Sequence, residues 1–139
     1  MELLYYRIKA LFHKQYAPYI LAGGKKGIMA LVNDFYDIMA SAPEANHALA
    51  LHPSDLTQAR QKLFMFLSGW FGGPNLYWKH YGHPRMRSRH MKFPIGPVER
   101  DQWIWCMQKA VDQRPWPKEF KDYAMKSFID FAHHMQNRN

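Results

Sequence analysis

Apolar residues recur at three- and four-residue spacing along nearly the whole chain, and no stretch alternates apolar with polar at a period of two. Such a pattern buries itself as helix against helix, so the expected fold class is all-α. Ile28, Leu31, Val32, Phe35, Tyr36 and Met39 make one stripe, entered after Gly23-Gly24 and left near Pro43. A second joins Leu56, Ala59, Leu63, Phe66, Leu67 and Trp70, with Ser54 or Asp55 able to cap it and Gly72-Gly73-Pro74 ending it. Pro97 suits the first turn of a third helix, which carries Trp103, Ile104, Cys106, Met107, Ala110 and Val111. Pro115 and Pro117 force a break before a fourth, with Phe120, Tyr123, Ala124, Phe128, Phe131 and Met135 on one side.

At 139 residues the chain is long enough for one domain with a real core. Residues 1–19 read as a helical extension, with Leu4, Ile8, Leu11 and Phe12 on one face, ahead of a domain over 20–139. Between the second and third strong helices the pattern breaks down. Pro74, Gly82, Pro84, Pro94 and Gly96 leave room only for short helical pieces. An irregular segment rich in His, Arg and Tyr between regular helices is where a site is expected.

Composition narrows the partners. Aromatic residues reach 16%, enough to predict either a large apolar guest or a densely packed core. The net charge of +8 permits nucleic acid or an acidic membrane surface, and it equally suits a protein that holds an anionic ligand. Cys106 is the sole cysteine, which rules out an intrachain disulfide and a CxxC metal site and suits a reducing cytoplasm. Glu2, Arg7, Lys9 and Lys14 interrupt any signal-peptide core, and no apolar run approaches membrane-spanning length. A cytoplasmic protein with no membrane partner is the expectation. The pairs His80/His83 and His133/His134 lack carboxylate or thiolate companions at ligand spacing and read as surface histidines.

The run Gly82 to His90, GHPRMRSRH, is the most informative segment. A histidine closing an arginine-rich run, among helices full of aromatics, matches what a haem iron and its two propionates require. Imidazole supplies the iron ligand, guanidinium groups answer carboxylates, and aromatic walls bury the porphyrin. On this pattern alone His90 is either an iron ligand or a surface histidine. Arg85 and Arg87 are likewise either propionate partners or a solvated loop. Tyr36 beside Phe35, and Trp103 near Trp105, are either pocket residues or ordinary core.

From about Gly23 to Val111 the chain carries LVNDFY, HPSDL, ARQKLFMFL, GGP with a following LY, GHPRMRSRH, FPIG, and ERDQW with a following CM. In this order and spacing the blocks resemble the group II truncated haemoglobins. The resemblance implies a two-over-two helical sandwich around haem b (iron protoporphyrin IX), with His90 as the proximal iron ligand. It places Tyr36, His52 and Trp103 in the distal pocket, where they would act on a bound ligand. Ala59 and Leu63 fall on further distal positions, Lys62 and Arg89 on propionate partners, and Phe66 and Phe93 on hydrophobic walls. Alanine at position 59 cannot donate a hydrogen bond, so that task moves to Tyr36, Trp103 and His52.

The ligands implied are dioxygen, NO, CO or peroxide, with an unidentified reductase as a further partner and a monomer or homodimer as the assembly. Strong distal donors stabilise the partial negative charge of bound dioxygen and slow its release. They therefore favour redox detoxification of NO, peroxide or peroxynitrite, as NO dioxygenase or peroxidase-like activity, over storage. His52 or Tyr36 is also expected to bind ferric iron directly. The competing expectation is a basic helical module for nucleic acid, motivated by the net charge and the run Arg85 to Arg89, with salt-dependent binding and no coloured cofactor.

Overall fold

Gly23, at φ 92°, turns the chain out of a short helix α1 (Ala17–Leu21) and into the long helix α2 (Gly24–Ser41). That left-handed conformation is one that glycine adopts without cost. The computed structural model describes residues 17–139, so the helical extension expected over 1–19 lies outside the described residues as far as residue 16. Gly27 makes a close approach possible, since a Cβ there would stand 1.8 Å from the Ala22 carbonyl oxygen. The same oxygen accepts a hydrogen bond from the Trp116 indole at 3.2 Å, which ties the start of α2 to the far end of the chain.

The buried face of α2 consists of Ile28, Leu31, Val32, Phe35, Tyr36 and Met39, the six residues the spacing predicts. A 3-10 turn (Pro43–Ala45) and the short α3 (Asn46–Leu49) lead to α4 (Thr57–Trp70). Asp55 serves the start of α4 by accepting the Thr57 amide at 2.9 Å, while Leu56 occupies the cap position itself without a side-chain bond. Two short helices follow, α5 (Leu76–Tyr81) and α6 (Met86–His90), in the segment where the prolines and glycines allow nothing longer. The third strong helix, α7 (Pro97–Asp112), opens with Pro97 in its first turn, and Glu99 accepts the Gly96 amide at 2.9 Å. The last, α8 (Lys118–Met135), begins after the double proline.

Helix α2 packs on α4 and α7, and α7 packs on α8. The four long helices thus form two pairs laid over one another, and no strand occurs among the described residues. Two sequence expectations shift. On α4 the buried residues are Phe64, Leu67 and Ser68, whereas Ala59, Leu63, Phe66 and Trp70 stay partly open. On α8 Tyr123 is exposed, and Met125 lies buried instead. The partly open apolar residues of α4 share a helix face, so that face has more apolar surface than the protein core covers.

Away from that face the core is aromatic. Phe71 contacts Trp116, Phe120 and Phe128 with ring centroids 6.0–6.2 Å apart. Arg114 and Asp34 form a sheltered ion pair at 2.6 Å that binds α2 to the link between α7 and α8. Cys106 is fully buried, and burial pushes its thiol up to about 11, so it packs as a small apolar group and is no nucleophile. No described helix is long and apolar enough to cross a membrane.

Candidate functional site

Helix α6 begins with Arg85 at φ 43°, the one non-glycine residue in left-handed conformation among those described. That conformation costs roughly 1–2 kcal/mol for a residue with a Cβ, and it sits where α6 is launched toward the site. At the far end of the helix, His90 Nδ1 lies 2.6 Å from the Met86 carbonyl oxygen. A carbonyl only accepts, so Nδ1 carries the proton and the lone pair resides on Nε2. This is the tautomer of a metal-ligating histidine, oriented by a hydrogen bond through its other nitrogen. The Phe93 ring lies 6.4 Å from the imidazole and walls that side.

Tyr36 projects from α2, nearly fully buried, with its ring edge-on to His52 at 5.6 Å and to Phe35 at 4.9 Å. Burial raises its phenol far above the ordinary value, and Arg60 offsets only part of this, so the group remains an O–H donor. Trp103 projects from α7 against Phe35 at 5.3 Å and Phe131 at 6.0 Å. Among the described residues, neither the Tyr36 hydroxyl nor the Trp103 indole N–H reaches a protein acceptor.

His52 differs from both. Its Nδ1 donates to the Ala48 carbonyl at 2.9 Å, so the neutral ring keeps an unprotonated Nε2 and has no second proton to give. Burial lowers its pKa, the bond to Ala48 pulls it partly back, and the nearby His90 lowers it further. The two histidines therefore lie within electrostatic reach of each other across the site.

The partly open face of α4 completes the walls. Ala59, Lys62, Leu63 and Phe66 follow at helical spacing, and Phe66 contacts Phe131 at 5.5 Å and Tyr77 at 6.3 Å. Lys62 and Arg89 converge on one tyrosine pair. The Lys62 ammonium stands 5.5 Å from the Tyr81 ring, the Arg89 guanidinium 5.4 Å from the Tyr77 ring, and the two rings 4.9 Å apart. Arg89 also donates to the carbonyls of Pro84, Tyr81 and His83 at 2.6–3.3 Å. Arg87 donates to those of His134 and Gln136. Two of the three arginines in the run are thus anchored to the protein's own backbone while remaining exposed.

Ring contacts run from His52 through Tyr36 and Phe35 to Trp103, from Trp103 through Phe131 to Phe66, and from Phe66 to the Tyr77–Tyr81 pair on which Lys62 and Arg89 converge. Phe93, in the segment after α6, stands beside His90, and Ala59 and Leu63 share the α4 face of Phe66. Three contributors were not singled out. The Met86 carbonyl orients His90. Gln102 accepts the amides of His47 and Ala48, each at 2.9 Å, and so fixes the turn that bears His52. Asn137, beyond the last helix, bonds the proximal segment. Gln102 lies in the ERDQW block, next to Trp103, and that was its only signal. Asn137 had none.

The bacterial-like globin family matches residues 18–137. The group 2 truncated haemoglobin YjbI of Bacillus subtilis is 37% identical over 122 residues, which span 88% of this chain and 89% of that protein. The chain belongs to the group II truncated haemoglobins. Solved members of the fold agree with it. The cold-adapted truncated haemoglobin of the Antarctic marine bacterium Pseudoalteromonas haloplanktis gives a TM-score of 0.86 at 43% identity, covering 88% of this chain and 98% of that one. The truncated oxygen-avid haemoglobin of Bacillus subtilis gives 0.78 at 37%, covering 86% and 98%.

This truncated haemoglobin is a haem-based binder of small ligands such as dioxygen, with the two-over-two sandwich its sequence predicts. Its residues fit the cofactor. His90 offers a free Nε2, Phe66 and Phe93 offer apolar walls, and Lys62 and Arg89 offer positive charge at one rim. The nucleic-acid expectation finds no support.

Proposed function

We propose that this truncated haemoglobin reacts NO, peroxide or peroxynitrite in place, and does not serve dioxygen storage. Haem, when bound through His90, supplies the iron that takes up diatomic ligands and the electron their chemistry requires. The protein's part is electrostatic. The observation that carries the proposal is the pair of uncommitted donors, the Tyr36 O–H and the Trp103 N–H, on two different helices whose side chains meet at Phe35. Donors fixed in advance and desolvated hold a ligand that has gained negative charge, without reorganisation during the reaction. They also slow its escape, which suits turnover better than delivery. The oxygen avidity of the Bacillus subtilis relative fits a site of this kind. Sustained turnover needs a reductase, which belongs to the same proposal, as does a reducing cytoplasm for a chain whose one cysteine is buried.

The test is a rapid-mixing experiment in which protein loaded with haem and dioxygen meets NO. The proposal expects one nitrate per haem, formed much faster than dioxygen leaves unaided. A reaction that waits for dioxygen release, with no nitrate, contradicts it.

The same site separates His52 from Tyr36 as a direct ligand to ferric iron. The bond to Ala48 leaves His52 an unprotonated Nε2 ready to bind, whereas Tyr36 would first have to give up its phenol proton. The ferric absorption spectrum is therefore expected to change from low-spin toward high-spin features in His52→Ala and to hold its spin state in Tyr36→Phe. The reverse pattern would assign the phenolate instead.

A further inference from the structure

The chain does not trail away after α8. Asn137 turns back onto the segment that follows His90, and its side chain donates through Nδ2 to the carbonyls of His90 at 3.1 Å and Phe93 at 2.9 Å. Its Oδ1 accepts the Ile95 amide at 3.0 Å. The main-chain amides of Asn137 and Arg138 both donate to the Ile95 carbonyl, at 2.9 and 3.0 Å. Apart from a bond that Oδ1 accepts from the neighbouring Arg138 at 3.0 Å, every hydrogen bond of this side chain goes to residues 90–95.

The segment it grips has little regular structure of its own. Helix α6 is five residues long, and Pro94 and Gly96 prevent the chain beyond from continuing it. The final carbonyls of any helix lack partners within the helix, and a short helix has few internal bonds to resist tilting. The carbonyl of His90 accepts the Phe93 amide at 2.9 Å, and Asn137 adds a second donor from the far end of the chain. Arg87 makes a second tie from α6 to the same end of the molecule, donating to the carbonyls of His134 and Gln136 at 2.8 and 2.9 Å. Gln136 is secured in turn by Arg100 at 2.7 Å.

We infer that Asn137 is a positioning residue for the proximal ligand. His90 is held at both ends, its ring by the Met86 carbonyl and its main chain by Asn137. With the second hold removed, α6 tilts more freely and presents Nε2 over a wider range of positions. The inference rests on the assignment of His90 as the haem ligand.

The experiment uses the haem-loaded full chain with Asn137→Ala, Asn137→Asp and, as a control for lost stability, Asp34→Asn, which weakens the ion pair with Arg114 away from the proximal segment. Two readouts serve: the rate of ferric haem transfer to excess apomyoglobin, and the iron–histidine stretching band in the resonance Raman spectrum of the ferrous ligand-free protein. Asn137→Ala is expected to speed haem loss about tenfold, the scale of losing one or two modest hydrogen bonds, and to shift or broaden the Raman band. Asn137→Asp keeps the acceptor for Ile95 and loses both donors, so it should behave like the alanine variant. Asp34→Asn should lower the melting temperature and leave the band where it is.

Wild-type behaviour in both Asn137 variants overturns the inference, as does an equal change in Asp34→Asn at matched loss of melting temperature. A wild-type protein that takes up no haem, or a band indifferent to His90→Gly with imidazole supplied isotopically labelled, overturns the proximal assignment and this inference along with it.

Discussion

Replacing His90 by glycine is expected to abolish stoichiometric haem uptake, and added imidazole is expected to restore it. The ring removed is one whose proton is already committed to Met86, leaving Nε2 as its single ligating atom. Losing a residue that merely orients a metal ligand costs roughly tenfold to a hundredfold in affinity, so loss of the ligand itself should exceed about a hundredfold. The measurement is a haem titration followed at the Soret band. Free imidazole can enter the space vacated and donate to the same carbonyl, so its rescue separates lost ligation from a collapsed fold. Uptake by the glycine variant with an unaltered spectrum would remove His90 from its role.

The second large effect concerns ligand release. Tyr36→Phe deletes one hydroxyl and keeps the ring against His52 and Phe35. Trp103→Phe deletes the indole N–H and keeps an aromatic surface for Phe35 and Phe131. Each buried donor lost should speed dioxygen dissociation about tenfold, corresponding to ~1.4 kcal/mol. If the donors act independently, the double variant should be about a hundredfold faster, and a smaller combined effect would show that they share one ligand atom. Displacement of dioxygen by carbon monoxide in stopped flow gives these rates directly. Unchanged rates in both single variants would mean that the pocket's donors do not face the ligand, and the argument for chemistry over storage would fall.

What the sequence made legible follows from which forces are local. The face of α2 is recoverable residue by residue, because all six apolar positions are buried on a helix packed mainly between two others. Helix α4 was read correctly as a helix and less well as a surface. Its stripe through Ala59, Leu63 and Phe66 is partly open, as the wall of a bound cofactor would be, and periodicity does not distinguish burial by protein from burial by a guest. Tyr123 shows the opposite error, an aromatic at helical spacing that lies on the exposed side of α8.

The site divides in the same way. His90, Tyr36 and Trp103 carry side-chain chemistry that motif order reveals. Met86, Gln102 and Asn137 act through bonds in which one partner is a backbone group, 4, 54 or 47 residues away in sequence, and such bonds leave no residue pattern along the chain. The donor state of His52 is similar. Whether its ring gives or accepts a hydrogen bond is decided by the Ala48 carbonyl, which only the folded turn brings within 2.9 Å.

The most direct test of the central claim is a titration of the apoprotein with haem, reduced under carbon monoxide, read in the Soret region. One equivalent taken up to a sharp endpoint, with the intense ferrous carbon-monoxide band of a histidine-ligated haem, is the expected result. A titration with no endpoint, or a spectrum no different from haem free in solution, would contradict a haem held by His90 in this fold.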